Sequence, residues 1–174
     1  MNNHGKKPEG MTSLYGDTLV SKTHGRIVFR GLVDTLQAEV IEAQVFAGTL
    51  GETKIRDSLG EILTFLRSLM AAEVKDTPLP PPFLFGMDAE EIHSQSHKVF
   101  TLDADGKPTL PDHTHGAVAA RLNTLRAKTR EVELFAVKVF GAGQAEREDI
   151  ILALNRLSSA LWWLTCQRSN QAWC

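Results

Sequence analysis

Three charged side chains, Arg126, Arg130 and Glu133, fall at i, i+4 and i+7, a spacing that places them on one face of a helix. Two arginines there present planar donor forks suited to phosphate oxygens. Glu133 could hold Arg130 in place, or bind a ribose or a metal. The same pattern also describes a solvated flank on which Arg130 simply pairs with Glu133. Asn155 and Ser158 lie at i, i+3 beside a strongly apolar stripe. Asn and Ser are mediocre in helix interiors and need hydrogen-bond partners when buried, so the two are a functional polar pair or an ordinary polar flank. Asp34, among Leu32, Val33 and Leu36, wants a cation if it is not on the surface, and Arg126 and Arg130 are the available choices. Lys22, His24 and Arg26 gather positive charge just ahead of the same helix, which suits a phosphate or plain solvent.

The histidines invite a metal test. His93 and His97 are spaced i, i+4, but Ser94, Gln95 and Ser96 lie between them, so the metalloprotease pattern with a Glu after the first His is absent. Glu90 and His93 make one Glu-x-x-His pair where a di-iron bundle needs two. His113 and His115 sit in a nearby loop. No P-loop and no Gly-x-Gly-x-x-Gly occurs, and Gly141-Ala-Gly143 reads as a helix stop.

Helices must position these groups. Val28, Leu32, Leu36, Val40, Ala43 and Ala47 recur at fours and threes from about Gly25, with Gly48 and Gly51 as stops. Lys54 to Val74 carries a second stripe through Leu59, Ile62, Leu63, Leu66, Leu69 and Met70. Four prolines between 78 and 82 end it. Asp88 with Glu91 three residues on marks a capped short helix to Lys98. Thr101 to His115 is a polar loop. Val118, Leu122, Leu125, Thr129, Val132, Ala136 and Val139 define a fourth helix, and Ile150, Leu154, Leu157, Leu161 and Leu164 a fifth, from about Arg147 to Gln167. No stretch alternates with period two. The expected fold is all-α: a five-helix bundle with four long helices and one short one, residues 25–169, preceded by an N-terminal loop, residues 1–24.

The 174 residues suit one domain. A net charge of −2 gives no general reason to expect nucleic acid, so an anion site must come from local clustering. Cys166 and Cys174 are too few for a disulfide framework and point to a reduced, cytoplasmic setting. The polar N-terminus has no apolar core of a secretory signal, and no run of 18 apolar residues exists, so neither secretion nor a membrane is expected.

Taken in order, these stretches resemble the ATP:cob(I)alamin adenosyltransferases, specifically the ethanolamine-utilisation type. The resemblance rests on Asp17-x-x-Val-x-Lys22 with Arg26 and Asp34, on Ile92 to His97, on Leu122 to Glu133 with Ala136 to Phe140, and on Asp149 to Ser159. The propanediol-utilisation type shares the Arg-x-x-x-Arg-x-x-Glu and Asn-Arg-Leu-Ser segments. The resemblance implies a homotrimer with ATP bound between subunits. Asp34 and Arg126 would make an ionic contact across that interface. Arg130, Glu133 and Asn155, with Ser158, would line the ATP site, and Thr12, Lys22 and Arg26 would belong to its phosphate-closing end. The implied reaction takes ATP, with Mg2+ on its phosphates, and cob(I)alamin as substrate. The alternative is a non-catalytic nucleotide- or corrinoid-binding protein of the same fold.

Phe83, Phe85 and Phe100 could wall the corrin or fill the core. The phosphate loop of the propanediol type survives only as Gly16-Asp17. The Cys-Cys-x-x-Cys metal motif of the ethanolamine type is absent from the 174 residues, so no structural metal is expected. The resemblance also implies a cytoplasmic enzyme that could associate with a microcompartment.

Overall fold

A computed structural model describes residues 7–141 and 146–170. An antiparallel ribbon, β1 (Met11–Ser13) with β2 (Leu19–Ser21), leads into α1 (Gly25–Thr49), which turns back as α2 (Thr53–Lys75). A two-residue hairpin, β3 (Phe83–Leu84) and β4 (Met87–Asp88), precedes the short α3 (Ala89–Lys98). The ribbon of β5 (Thr101–Leu102) and β6 (Pro108–Thr109) and a 3₁₀ turn at His113–His115 lead into α4 (Gly116–Phe140), and α5 (Glu148–Ser169) closes the bundle. The five helices stand where periodicity placed them. The three ribbons were unforeseen, because two or three residues per strand are too few to show alternation.

α1 packs on α2 and α4, and α5 packs on α4, α2 and α3. One apolar cluster runs through all five helices, from Phe29 and Leu36 through Leu59, Leu66 and Ile92 to Leu125, Phe140, Leu157 and Leu164. The expected stripe of α1 needs one correction. In its first two turns Phe29 and Val33 are fully buried, while Val28 is exposed and Leu32 only partly covered. Phe29 wins because its ring meets Phe140 edge-on at 5.0 Å. Close approach of α1 to α4 at this end also needs Gly25, where a Cβ would stand 3.1 Å from Val139 Cγ2.

The starts and stops have local causes. His24 accepts the Arg26 N–H at the head of α1. Asp88 and Glu91 form the expected reciprocal capping box of α3. α2 ends on Asp76 in the left-handed conformation, φ 54°, before the proline run. Gly141 ends α4 as expected, whereas Gly143 and Cys174 lie outside the described residues. Cys166 is buried, with Thr101 Oγ1 donating to its sulfur at 3.6 Å, and burial pushes its thiol pKa up. Of the three phenylalanines, Phe83 and Phe100 are exposed and so do not fill the core. Phe85 stacks on Trp163 at 5.8 Å.

Among the described residues, the core holds one carboxylate. Glu73 is fully buried on α2, where Arg26 Nε donates to its Oε1 at 2.5 Å and Arg30 Nε donates to its Oε2. Arg26 Nη2 also donates to the Glu73 carbonyl at 2.7 Å and to Asp76 at 3.1 Å. Arg147 donates to both oxygens of Asp149 and to the Thr77 carbonyl, and Asp149 accepts the Leu79 N–H at 2.8 Å. This network pins the helix-breaking 76–82 segment between α1 and α5.

Candidate nucleotide site

α4 and α5 run antiparallel, and their register decides which side chains meet. Arg126 lies level with Trp162, Arg130 with Ser158 and Glu133 with Asn155. The Arg126 guanidinium sits 5.8 Å from the Trp162 ring centre. One turn away, Ser158 and Ser159 from α5 and Ser96 and His97 from α3 join Arg126 and Arg130 around a small cavity of about 220 Å3. One turn further, the Asn155 amide donates to Glu133 Oε1 at 2.9 Å.

The electrostatics of this cleft are one-sided. Arg126 Nε donates to Asn123 at 2.9 Å, but no carboxylate meets its guanidinium among the described residues. Arg130 has neither an ionic nor a hydrogen-bonded partner among them. Burial lowers the Arg126 pKa, and the neighbouring Arg130 cation lowers it further. Arg126 nevertheless remains charged at any physiological pH, as guanidinium groups in proteins do. Two adjacent guanidinia without counter-charge are an arrangement suited to an anion, and planar forks match phosphate oxygens. The alternative of Arg130 paired with Glu133 is not what the chain adopts, since Glu133 bonds Asn155 instead.

The other residues singled out by sequence do not converge here within one chain. Asp34 is exposed on α1, without an ionic partner among the described residues, so neither Arg126 nor Arg130 of the same chain neutralises it. Thr12 is half-buried in β1 opposite Val20, and Lys22 is exposed just after β2. Gly16 supplies the positive φ, 50°, of the β1–β2 turn. Arg26 is committed to Glu73 and Asp76 rather than offered to solvent. With Leu14, Thr23, His24 and Lys138 it lines a second cavity of about 620 Å3 at the opposite end of α4 from Gly116.

Trp162, Ser96 and Ser159 were not singled out by spacing. They reach the cleft from α5 and α3, and their place in it depends on how those helices pack against α4. His93 and His97 stack edge-on at 4.5 Å. Only His97 lines the cleft, and no group of three or more His, Cys, Asp or Glu able to hold a metal forms among the described residues.

The family model described as cobalamin adenosyltransferase matches residues 4–167. The chain belongs to that family. It is 36% identical over 160 residues to the corrinoid adenosyltransferase EutT of Salmonella typhimurium and to that of Escherichia coli K12, across 90% of this chain in each case. The chain spans 58% of the length of those relatives. Among solved structures, a variant of a PduO-type ATP:corrinoid adenosyltransferase from Lactobacillus reuteri, complexed with cobalamin and ATP, matches with a TM-score of 0.72. The match covers 99% of this chain and 94% of that one, at 18% identity. A second variant of that enzyme, complexed with ATP, matches at 0.68 and 21% identity, over 99% and 95% of the two chains. The cobalamin adenosyltransferase family therefore accounts for the fold over nearly the whole chain.

Proposed function

We propose that this protein transfers the 5′-deoxyadenosyl group of ATP to cob(I)alamin, releasing triphosphate. The observation that carries the proposal is the Arg126–Arg130 pair, two adjacent cations without counter-charge, one turn from the Asn155–Glu133 pair. Family membership, the EutT relatives and a PduO-type structure complexed with cobalamin and ATP support it. In this reaction the electron pair of Co(I) forms a bond to C5′ of the ribose. The C5′–O bond breaks, and its electrons leave with the triphosphate. The nucleophile is already potent, so the protein need not provide a general base. Its tasks are alignment of the two substrates and stabilisation of charge growing on the leaving phosphate. Arg130 and Arg126 serve the second task. Glu133 and Asn155 hold the nucleoside end, with Ser158 beside the phosphates. Mg2+ would travel on the phosphates of ATP and add positive charge there.

The proposal includes a homotrimer whose sites are completed between subunits. Asp34, Ile41 and Val45 share one face of α1, and both apolar residues are exposed, Val45 by 65%. Arg126, Arg130, Leu134 and Val137 share one flank of α4, where Leu134 is 68% exposed. One face offers a carboxylate with apolar neighbours and the other offers arginines with apolar neighbours, so docking them would pair Asp34 with Arg126. It would also bring the β1–β2 ribbon, with Thr12 and Lys22, toward a neighbouring subunit's phosphate site. Service in ethanolamine utilisation and a cytoplasmic location belong to the same reading, on the strength of the EutT relatives. Among the described residues no helix is long and apolar enough to cross a membrane.

Incubation with ATP and chemically reduced cobalamin tests the activity. The expected outcome is a light-sensitive adenosylcobalamin spectrum. An ATP-dependent thermal shift without any such product would favour a nucleotide-binding protein instead.

A further inference from the structure

The Asn155–Glu133 pair is itself held by a third side chain. Arg156 Nη1 donates to Asn155 Oδ1 at 2.6 Å, while the amide nitrogen of Asn155 faces Glu133 Oε1 at 2.9 Å. An asparagine side chain can rotate by half a turn and exchange its donor for its acceptor. Arg156, having donors only, forbids that exchange. Arg156 is itself well covered: its side chain is 13% exposed, its Nε is buried, and its Nη2 lies 3.8 Å from Glu90 on α3. The polarity of the pair is therefore set from behind. Glu133 Oε2 has no partner among the described residues and is a free acceptor. The second hydrogen on the Asn155 nitrogen is a free donor. An acceptor next to a donor is the complement of a vicinal diol, in which one hydroxyl donates and its neighbour accepts.

We infer that Arg156 is a positioning residue that fixes the amide of Asn155, and that the polarised Asn155–Glu133 pair thereby selects a ribonucleoside triphosphate over its 2′-deoxy analogue through the ribose diol. The inference rests on the proposed ATP site and adds a specificity device to it. Arg156 touches no substrate. It acts through Asn155, and Glu133 and Asn155 make the contact. Because a site built to bond a hydroxyl strongly rejects an analogue lacking it, the wild-type protein should prefer ATP to 2′-deoxy-ATP by about tenfold or more in kcat/KM.

The test compares ATP with 2′-deoxy-ATP in the wild type and in Arg156→Lys, Arg156→Gln and Asn155→Ala. Arg156→Gln, which offers an acceptor as well as a donor and so no longer forbids the exchange, should raise KM for ATP with a much smaller change in kcat and reduce the preference to within about threefold, whereas Arg156→Lys, which like arginine has donors only, should recover part of it. The double variant Asn155→Ala, Arg156→Gln should be no worse than Asn155→Ala alone, since both changes remove one unit. A merely structural arginine would lower kcat/KM for both nucleotides alike and add to the effect of Asn155→Ala. That result overturns the inference, as does a wild type that uses both nucleotides equally. If Glu133→Ala and Asn155→Ala leave KM for ATP unchanged, the underlying site assignment has failed. If they raise it while Arg156→Gln does not, the site stands and only the role of Arg156 falls. Should Arg156→Gln fold poorly, Arg156→Lys alone decides, through its nucleotide preference at normal melting temperature.

Discussion

Arginines in this bundle occupy two opposite situations. At one end of α4, Arg26, Arg30 and Arg147 converge on Glu73, Asp76 and Asp149, and each guanidinium is matched by a carboxylate. Along the middle of the same helix, Arg126 and Arg130 stand side by side with none among the described residues. The first group costs desolvation that only its ion pairs offset, so its carboxylates are structural requirements. The second repels itself, and a bound anion would relieve that repulsion. Guanidinium density alone does not mark a binding site in this molecule. The absence of a matched carboxylate beside two adjacent guanidinia is what favours the proposed site in the α4–α5 cleft over the N-terminal basic residues.

The sharpest way to break this contrast is to remove the buried carboxylate. Glu73→Ala should strand two covered guanidinia and destabilise the fold by about 3–5 kcal/mol. Chemical denaturation would read that loss, and a value below about 1 kcal/mol would show that the matched group is ornamental. Arg130→Ala should behave in the reverse way. Adenosylation should fall by about 10²–10³-fold, as for loss of one donor to developing charge, while stability stays within about 0.5 kcal/mol of the wild type. An active Arg130→Ala enzyme would remove the cleft from the mechanism. Helicity by circular dichroism separates that outcome from misfolding.

The contrast has a second edge, because Arg126 could find its carboxylate on another subunit. Asp34→Arg and Leu134→Asp should each weaken self-association by about tenfold or more, equivalent to about 1.4 kcal/mol. Sedimentation equilibrium checks this. A wild-type protein that is monomeric at all concentrations would leave Asp34 without the role proposed for it.

Much of this was legible in the chain. The stripes of α4 and α5 name their buried faces almost residue by residue, and the Arg126–Arg130–Glu133 face follows from helical spacing. In α1 the reading slipped by one position, since Val28 and Phe29, and Leu32 and Val33, are all apolar and a period cannot choose between adjacent candidates. Glu73 was passed over, although it continues the α2 stripe seven residues after Leu66 and four after Leu69. An acid at a stripe position was the available signal for a buried ion cluster, with Arg26 as its partner. The level at which Trp162 meets Arg126 was not legible, because it depends on the length and path of the α4–α5 connection and not on either helix alone. Family resemblance placed Arg126, Arg130, Glu133 and Asn155 together more securely than spacing did.

The smallest effect tests the matched group at its rim. Burial opposes ionisation of Asp149, but the Arg147 hydrogen bond, the Leu79 N–H and the Arg147 charge outweigh it and hold the carboxyl below its ordinary value of 3.8. A depressed carboxylate pKa means that its contribution is fully present above the ordinary value and disappears as pH falls through the folded one. Asp149→Asn keeps an acceptor for Leu79 while removing the charge that faces Arg147. It should therefore cost about 1 kcal/mol at neutral pH, and the gap from wild type should narrow below about pH 4 as Asp149 of the wild type becomes protonated. Urea denaturation at pH 7 and at pH 3 measures both quantities. A gap that persists unchanged in acid would mean that shape, not charge, holds the 76–82 segment to α5. The Arg126–Arg130 pair, which no carboxylate meets among the described residues, should add nothing to this acid dependence.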